Sequence, residues 1–495
     1  MSVPAIAGII VGFFVVDETV RPERLLPLIV ACALFIENMD STAISTALPA
    51  MALDLGTSPI ALKLALTAYL IALAVFIPIS GWIADRFGAR TTFIVAIAVF
   101  LLGSIGCAAS GSLPTLVAAR FVQGMGGALM VPVGRLVILR TVPKSDLVVA
   151  LSWLTIPALV GPMLGPPLGG FIVTYFDWRW IFLINIPMGL VGIVLAQRHI
   201  PQLRDEVGPL DWAGFALSGV GLALTLFGFS TIGRHLVPMP IALSCLAVGL
   251  VALVAYVMHA RRHPRPLLDL ALFRLATFRA GVVGGSLFRI GVGATPFLLP
   301  LMLQLGFGLT PLQSGLLTFI SAAGAMFMKT LAATILRRYG FRHVLLTNAI
   351  VASLLLGGYG LFTAQTPHLV ISAVLLVAGC FRSLQFTSLN AIAYAEVESA
   401  QMGQASSLAG MMQQLSLSVG IAVGGYALQF AAWFSGRSDT AAENFQFAFV
   451  VIGLCSAASA WMMWRLPADA GQEMSGNAKP GGEIAEPKVE QRPAT

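Results

Sequence analysis

Long apolar stretches recur along the whole chain and constrain its fold more than any other feature. Of its 495 residues, 57% are hydrophobic and only 10% are charged, and the mean hydropathy is +0.88. A helix of about 20 apolar residues can cross the hydrocarbon core of a bilayer. Such stretches lie at 25–49, 61–84, 91–109, 113–133, 147–173, 180–196, 212–232, 240–258, 278–301, 312–336, 344–362, 369–393, 405–430 and 447–466. The sequence therefore predicts an all-α integral membrane protein with fourteen transmembrane helices.

Lys and Arg are distributed unevenly between the two sides of such a topology. Of the 29, four lie deep within apolar stretches, and four lie in loops or at a span end on one side, namely Lys63, Arg179, Arg234 and Arg437, which leaves 21 for the loops, span ends and termini of the other side. Positively charged loops remain cytoplasmic, so both termini are predicted to be cytoplasmic and the protein to lie in the cytoplasmic (inner) membrane. The net charge of +7 is then explained by basic cytoplasmic loops that lie next to anionic lipid headgroups, so it does not indicate nucleic-acid binding.

Two loops resemble one another 252 residues apart. DRFGAR begins at Asp85 after the second stretch, and RRYGFR begins at Arg337 after the tenth. Internal repeats of this kind place a substrate site near the membrane midplane, between two halves that move against each other. The predicted division is an N-terminal cytoplasmic or interfacial segment at 1–24, a six-helix bundle at 25–200, two extra helices at 201–265, a second six-helix bundle at 266–466 and a disordered cytoplasmic tail at 467–495.

Charged residues interrupt the first and fourth stretches. Glu37 and Asp40 are three residues apart and share a helix face, and Arg120 shares a face with Gln123. An ionisable side chain at bilayer depth costs at least roughly 2.5–3.5 kcal/mol, so it indicates a partner charge, a cavity or an ion path. An arginine favours the charged form of a nearby carboxylate, whereas burial disfavours it, and these opposed effects favour a protonation switch. A structural ion pair between two helices is the alternative.

The stretch GWIADRFGAR, which begins at Gly81, resembles the loop motif between helices 2 and 3 of the major facilitator superfamily. Gly81 would allow close helix approach, and Gly88 permits a turn conformation that other residues adopt at a cost. The resemblance implies a cytoplasmic conformational latch in which Asp85 makes state-dependent contacts with Arg86 and Arg90. A solvated basic loop is the alternative, and it leaves Gly81 and Asp85 unexplained.

The fifth stretch contains GPMLGPPLGG, which resembles the motif associated with antiporters of the same superfamily. Gly161, Gly165 and Gly169 recur every four residues and predict a smooth groove for a neighbouring helix. Pro166 favours a bend, and Gly170 completes the motif. Packing of small residues alone is the alternative, but the combined pattern is more specific, and the resemblance implies export.

Three segments resemble the fourteen-helix drug:proton antiporter branch (EmrB/QacA type), namely MDSTAISTALP from Met39, WRWIF from Trp178 and NIP from Asn185. A fourth segment, PFLLPLMLQLG from Pro296, resembles the MdtD-type multidrug exporters of that branch. The resemblance covers nearly the whole chain and implies two six-helix bundles plus two extra central helices.

Proton coupling is assigned by the same resemblance to Asp40 and Arg120. Glu37 departs from the branch pattern and is added as a third proton-coupling candidate because it shares the face of Asp40. The predicted substrate cavity contains Glu37, Asp40, Gln123, Arg289, Lys329, Arg382, Gln385 and Gln413. Since the 252-residue offset relates Glu37 to Arg289, we hypothesise that these two face each other across the cavity and pair in one access state.

The predicted function is proton-coupled efflux of lipophilic or amphiphilic compounds, including drugs. The alternative, favoured by Arg289, Lys329 and Arg382, is export of a specific metabolite, siderophore or organic anion.

An enzyme is not expected, because the five cysteines are scattered, the six histidines lie at loops or span ends, and a phosphate-binding loop is missing. No metal site and no cofactor are predicted, and the proton gradient is the energy source. Expected partners are a small-molecule substrate, protons and the bilayer. Whether a periplasmic adaptor and an outer-membrane channel are further partners is left undecided by the sequence. The protein is expected to be a monomer.

Overall fold

The computed structural model describes residues 22–142, 147–205, 207–231, 237–264, 266–398, 401–438, 441–467 and 470–471. Most of the segment predicted at 1–24 and of the tail predicted at 467–495 lies outside the described residues. The α-helices are α1 (Pro22–Asp54), α2 (Lys63–Phe76), α3 (Ser80–Phe87), α4 (Ala89–Ala108), α5 (Leu113–Thr141), α6 (Leu147–Tyr175), α7 (Trp180–Leu183), α8 (Asn185–His199), α9 (Trp212–Thr231), α10 (Met239–Arg262), α11 (Ala276–Arg279), α12 (Gly285–Gly293), α13 (Thr295–Leu301), α14 (Pro311–Gly358), α15 (His368–Ile392), α16 (Met402–Ser435), α17 (Ala442–Ala457) and α18 (Ser459–Trp464).

The described part of the chain is helical and multi-pass. It contains 12 helical stretches that are long and apolar enough to cross a membrane. Short 3-10 or π segments adjoin several helices: the π segment Ala280–Gly284 connects α11 to α12, and the π segment Met302–Gly306 extends α13. The latter follows Pro300, which cannot donate a backbone hydrogen bond and so favours such a local widening of the helix.

The predicted repeat is visible in the backbone. Gly88 separates α3 from α4 with φ +95°, and Gly340 interrupts the long helix α14 with φ +72°. Residues other than glycine rarely adopt these values, so both loops need glycine at the same place. The two positions are 252 residues apart, the offset that the loop sequences gave.

Small residues allow the helices to approach closely, as the antiporter-like motif predicts. An added Cβ at Gly161, Gly165 or Gly169 would overlap α1, so these residues form the groove in which α1 lies. On the next face of α6, Gly170 lies against the backbone of Pro311 at the start of α14. The motif therefore packs one helix of the first bundle and also contacts the second bundle.

The two halves meet along α6 with α14 and along α2 with α16. Gln304 Nε2 donates to Thr46 O at 3.0 Å, and Leu312 N donates to Thr174 Oγ1 at 3.2 Å, so polar contacts also cross between the halves. The inserted helices α9 and α10 pack together, and α9 also packs against α2. The hydroxyl of Tyr426 on α16 donates to Phe229 O on α9, which ties this pair to the second bundle.

Candidate functional site

An ion pair between Asp40 and Arg120 lies at the centre of the first bundle. Arg120 Nη1 is 2.6 Å from Asp40 Oδ2, and the exposed fractions of the two side chains are 1% and 0%. The carboxylate is on α1 and the guanidinium on α5, so the pair joins two helices across a water-poor interior. The structure thus brings together the two residues that were predicted as the principal proton-coupling pair.

The other carboxylate oxygen of Asp40 accepts two hydrogen bonds. Gln123 Nε2 donates to Asp40 Oδ1 at 3.1 Å, and Asn185 Nδ2 donates to the same atom at 2.8 Å. Ser104 Oγ lies within reach of both amides, at 2.8 Å from Gln123 Nε2 and 3.3 Å from Asn185 Nδ2. Gln123 also accepts from Arg120 Nη1 at 2.5 Å, so a charged hydrogen bond closes the network. These donors hold the Asp40 carboxylate in a fixed position between α1, α5 and α8.

Glu37 joins the same network through an aromatic residue. Tyr69 on α2 donates its hydroxyl to Glu37 Oε1 at 2.8 Å, and the Arg120 guanidinium carbon lies 4.4 Å from the centre of the Tyr69 ring. Phe182 flanks the guanidinium at 5.8 Å. A cation over an aromatic face is stabilised when it is desolvated, so Tyr69 supports Arg120 and also hydrogen-bonds the second carboxylate.

Glycines of the Arg120 helix make room for Tyr69. A Cβ at Gly124 would overlap the backbone of Tyr69, and one at Gly127 would lie 2.9 Å from the Tyr69 hydroxyl. These glycines follow Arg120 on the same face of α5, so the sequence that places the arginine also allows α2 to approach it. The local sequence therefore determines the position of the Tyr69 ring.

Arg289 is buried elsewhere, in the second bundle. Its Nη2 donates to Asn390 Oδ1 at 2.7 Å, its side chain is 3% exposed, and its guanidinium carbon lies 5.5 Å from the centre of the Phe386 ring. Glu37 and Arg289 do not form an ion pair in this structure, since each has another partner. Their pairing in a different access state stays a prediction.

The remaining predicted cavity residues lie on three helices of the second bundle, α14, α15 and α16. Gln385 is fully buried and accepts from Asn348 Nδ2 at 2.9 Å, so it joins α15 to α14. Lys329 is exposed on α14, whereas Arg382 and Gln413 are partly buried. Gln123 belongs to the Asp40 network described above. Roles in substrate binding for these residues stay predictions.

The latch loop contacts the segment that leads to the inserted helices. Asp85 Oδ1 is 2.9 Å from Arg140 Nη1, and Arg140 also lies 2.9 Å from Asp205 Oδ2. In this structure Asp85 thus pairs with Arg140 at the end of α5 instead of with Arg86 or Arg90. The backbone carbonyl of Arg86 accepts from the side chain of Arg204.

The glycines of the latch behave differently from one another. Gly88 adopts the positive φ that its predicted turn requires. A Cβ at Gly81, however, would meet no atom within 4 Å, so the close helix approach inferred from Gly81 is not made in this structure. A close contact at Gly81 in another state stays a prediction.

Several polar residues of these networks were missed by the sequence analysis. Tyr69 and Asn185 contact the Asp40–Arg120 pair, and the sequence marks Asn185 only as part of a family motif. Lys63, assigned to an outer loop, begins α2 and is fully buried, with its Nζ 4.1 Å from the centre of the Tyr426 ring. An isolated Tyr, Asn or Lys at a span end carries no periodic signal, so only the packing of the helices reveals its role.

The fold and the site define a multi-pass membrane protein with two helical halves and a buried ion pair in one of them. The family model described as "Major Facilitator Superfamily" matches residues 30–421 and 281–490. The chain belongs to this superfamily, so it is a secondary transporter of small molecules and not an enzyme, as the sequence predicts.

Individual relatives agree with this assignment. The chain is 38% identical over 450 residues to "Putative multidrug resistance protein MdtD" of Escherichia coli strain K12, covering 90% of this chain and 95% of that protein. Among solved structures it resembles a D-xylose-proton symporter, with TM-score 0.66, 17% identity and coverage of 90% and 98%. An auto-inhibited peptide transporter of the POT family gives TM-score 0.63, 16% identity and coverage of 89% and 97%. These two structures show the fold alone.

Proposed function

We propose that this protein is a proton-coupled antiporter that exports lipophilic or amphiphilic compounds, including drugs, across the cytoplasmic membrane. The observation that carries the proposal is the Asp40–Arg120 pair, which is fully buried between α1 and α5 with its carboxylate held by two further donors. A buried carboxylate of this kind in a transporter is a proton-relay candidate.

Protonation of Asp40 would change the contact between two helices. The neutral carboxyl group no longer balances the Arg120 charge, and a buried unpaired charge is costly. Arg120 would then need another acceptor, such as the Gln123 side-chain carbonyl that it already contacts, or Glu37 beyond the Tyr69 ring. Such a change of partners would move α5 relative to α1 and so couple proton uptake to a change of access state.

Glu37 is a suitable entry point for the proton. Its exposed fraction is 7% whereas that of Asp40 is 0%, so Glu37 is the less deeply buried of the two carboxylates. The Tyr69 hydroxyl contacts Glu37, and the Tyr69 ring contacts Arg120. We assign Glu37 as the first acceptor and Asp40 as the coupling site. No cofactor is needed, because a membrane potential supplies about 2.3 kcal/mol per charge per 100 mV.

The proposed topology has fourteen crossings with both termini in the cytoplasm. Twelve stretches qualify by length and hydropathy in the described residues. We propose two further crossings from the lengths of α6 and α14. Helix α6 has 29 residues and is strongly apolar. Helix α14 has 48 residues, or about 72 Å at 1.5 Å per residue, so it would cross a hydrocarbon core of about 30 Å twice, with a break at Gly340.

The substrate class is inferred from the relatives named for multidrug resistance, with which the chain shares 38% identity over 90% of its length. A specific exporter of a metabolite, siderophore or organic anion is the second candidate. The observation that favours it is Arg289, a cation 3% exposed whose charge is balanced by no carboxylate within 4 Å in the described residues. A periplasmic adaptor and an outer-membrane channel would be partners only if export continues beyond the inner membrane.

The deciding experiment is a pH jump in proteoliposomes with cationic dyes in one panel and organic anions in the other. We expect an outward-directed substrate flux that requires the proton gradient, is lost in Asp40→Asn and is retained in the control Glu443→Gln, which alters an exposed pair with Arg437. Gradient-driven flux of wild-type size in Asp40→Asn would contradict the proposed coupling site. Movement of the anion panel alone would favour the second candidate.

A further inference from the structure

A cluster of three metal-binding side chains lies at one end of the inserted helix pair. Asp211 directly precedes α9, His259 lies in the last turn of α10 and His263 follows that helix. One ligand atom from each of the three lies within 4.8 Å of the others. His259 Nε2 is 2.8 Å from Asp211 Oδ1, and the rings of His259 and His263 stack with their centres 5.0 Å apart.

The order of the chain explains why the sequence gave no such site. His259 and His263 are four residues apart and therefore project from one helix face, a spacing that suits two ligands of one ion. Their third partner, Asp211, is 48 residues before His259, and only the antiparallel packing of α9 on α10 brings it there. Both histidines lie at a span end, as the sequence predicts.

The distances are close to those that a first-row transition metal requires. With metal–nitrogen and metal–oxygen bonds near 2.0–2.2 Å, two ligands of a tetrahedral ion are separated by about 3.3 Å. The Asp211–His259 pair is nearly at this separation, and His263 needs to move by at most roughly 1.5 Å. His263 is only partly buried at a helix end, and metal binding would require its side chain to rotate out of the stack with His259.

Asp211 is held in place by three hydrogen bonds. Gly214 N, His259 Nε2 and Leu267 N all donate to its carboxylate. Its side chain is 5% exposed, whereas that of His259 is 25% exposed. The site thus combines a fixed anionic ligand with two imidazoles that solvent can reach.

Beside the cluster is an open cavity of about 420 Å³, lined by Ala255, Met258, His259, Arg262, His263 and Pro264. It gives an ion access to the two imidazoles and leaves room for water as a fourth ligand. Arg262 opposes a cation, but its side chain is exposed, so solvent and salt screen the repulsion.

We propose that Asp211, His259 and His263 bind a divalent transition-metal ion of the zinc class, with solvent in the remaining coordination position. Two imidazoles and one carboxylate suit Zn²⁺, Co²⁺ or Ni²⁺ and do not suit Mg²⁺ or Ca²⁺, which prefer oxygen ligands. The ion would connect the start of α9 to the end of α10. Through Leu267 N it would also fix the segment that leads into the second bundle. This inference does not depend on the proposed transport activity.

The test is metal binding by the purified full-length protein, carrying no polyhistidine tag and first stripped with chelator. We expect about one Zn²⁺ per chain by competition with a chromophoric chelator, and a Co²⁺ visible spectrum typical of low coordination number with nitrogen and oxygen ligands. His263→Ala and His259→Ala should each weaken Zn²⁺ binding at least tenfold. Asp211→Asn keeps an oxygen for the hydrogen bond from Gly214 N but loses the charge, and should weaken it similarly.

The matched control is His199→Ala, which removes an exposed histidine at the end of another helix, α8. It should bind Zn²⁺ like the wild type. Absence of stoichiometric Zn²⁺ and Co²⁺ binding in the wild type would overturn the proposal, as would unchanged affinity in His263→Ala. Elution of each variant as a single monodisperse species separates loss of the site from loss of the fold.

Discussion

Arg120 and Asp40 are held 2.6 Å apart, Nη1 to Oδ2, and neither side chain is more than 1% exposed. Their attraction is strong in such an environment, yet the cost of removing both charges from water is large, so the pair gives little net stability. Removing one partner alone leaves an unpaired buried charge. The pair is therefore better suited to a switch than to holding the bundle together.

Neutralising both members should separate stability from transport. We expect Asp40→Asn or Arg120→Gln alone to lower the free energy of unfolding by about 3–5 kcal/mol, because one charge is left unpaired. The double variant should regain most of that stability and still show no proton-driven flux. Thermal unfolding in detergent and the pH jump in proteoliposomes measure the two effects. Proton-driven flux in the double variant would show that coupling lies elsewhere.

Asn185 should act on the coupling site itself. Its Nδ2 donates to Asp40 Oδ1 at 2.8 Å, and loss of a hydrogen bond to a charged group costs about 1.5–3 kcal/mol. We expect Asn185→Ala to reduce proton-driven flux and to change its dependence on pH. The control is Asn444→Ala, which removes a buried asparagine whose Nδ2 donates to Ser438 O at 2.9 Å. Both variants should lose stability, but only Asn185→Ala should change the pH profile of transport.

Much of the architecture could be predicted from the sequence because bilayer crossing imposes length and apolarity on every span. The 252-residue offset identified Gly88 and Gly340, whose positive φ angles confirm that both loops need the same turn. The glycine spacing of α6 correctly predicted a groove for a neighbouring helix. These features depend on local backbone rules, and local rules can be read from sequence.

Residue partners were harder to predict. Asp40 and Arg120 were identified because charges are rare at bilayer depth, and 80 residues separate them along the chain. Tyr69 lacked such a signal, since an aromatic residue in an apolar helix is ordinary. The sequence predicts Arg86 and Arg90 as the partners of Asp85, but Asp85 pairs with Arg140 at the end of another helix. Tertiary packing decides these pairs, and periodicity along one helix does not report it.

Gly169 and Gly81 should respond differently to the same substitution. A Cβ at Gly169 would overlap the backbone of Ala43 on α1, so Gly169→Ala should force α1 and α6 apart and destabilise the protein by about 1–3 kcal/mol. A Cβ at Gly81 meets nothing within 4 Å, so Gly81→Ala should leave thermal stability unchanged. If the latch closes around Gly81 in another state, that variant should still transport more slowly. Wild-type flux in Gly81→Ala would argue against such closure.

Arg140 should control the mobility of the segment that joins the first bundle to the inserted helices. Arg140 Nη1 lies 2.9 Å from both Asp85 Oδ1 and Asp205 Oδ2, and Asp205 N donates to the Asp85 carbonyl at 3.1 Å. In Arg140→Ala the two carboxylates would face each other without a cation, so their repulsion should loosen residues 200–208. Partly exposed ion pairs contribute only about 0.2–1 kcal/mol, so the global unfolding temperature should change little.

Hydrogen exchange followed by mass spectrometry measures this local effect. Peptides that cover 200–208 should exchange faster in Arg140→Ala than in the wild type, and added salt should reduce the difference because it weakens the exposed pairs of the wild type. Arg437→Ala breaks another exposed pair, Arg437 with Glu443, and should leave exchange at 200–208 unchanged. Equal exchange in all three proteins would mean that the backbone hydrogen bonds hold the segment without Arg140. Arg140 would then not be the charge contact that couples the proposed latch to the inserted helices.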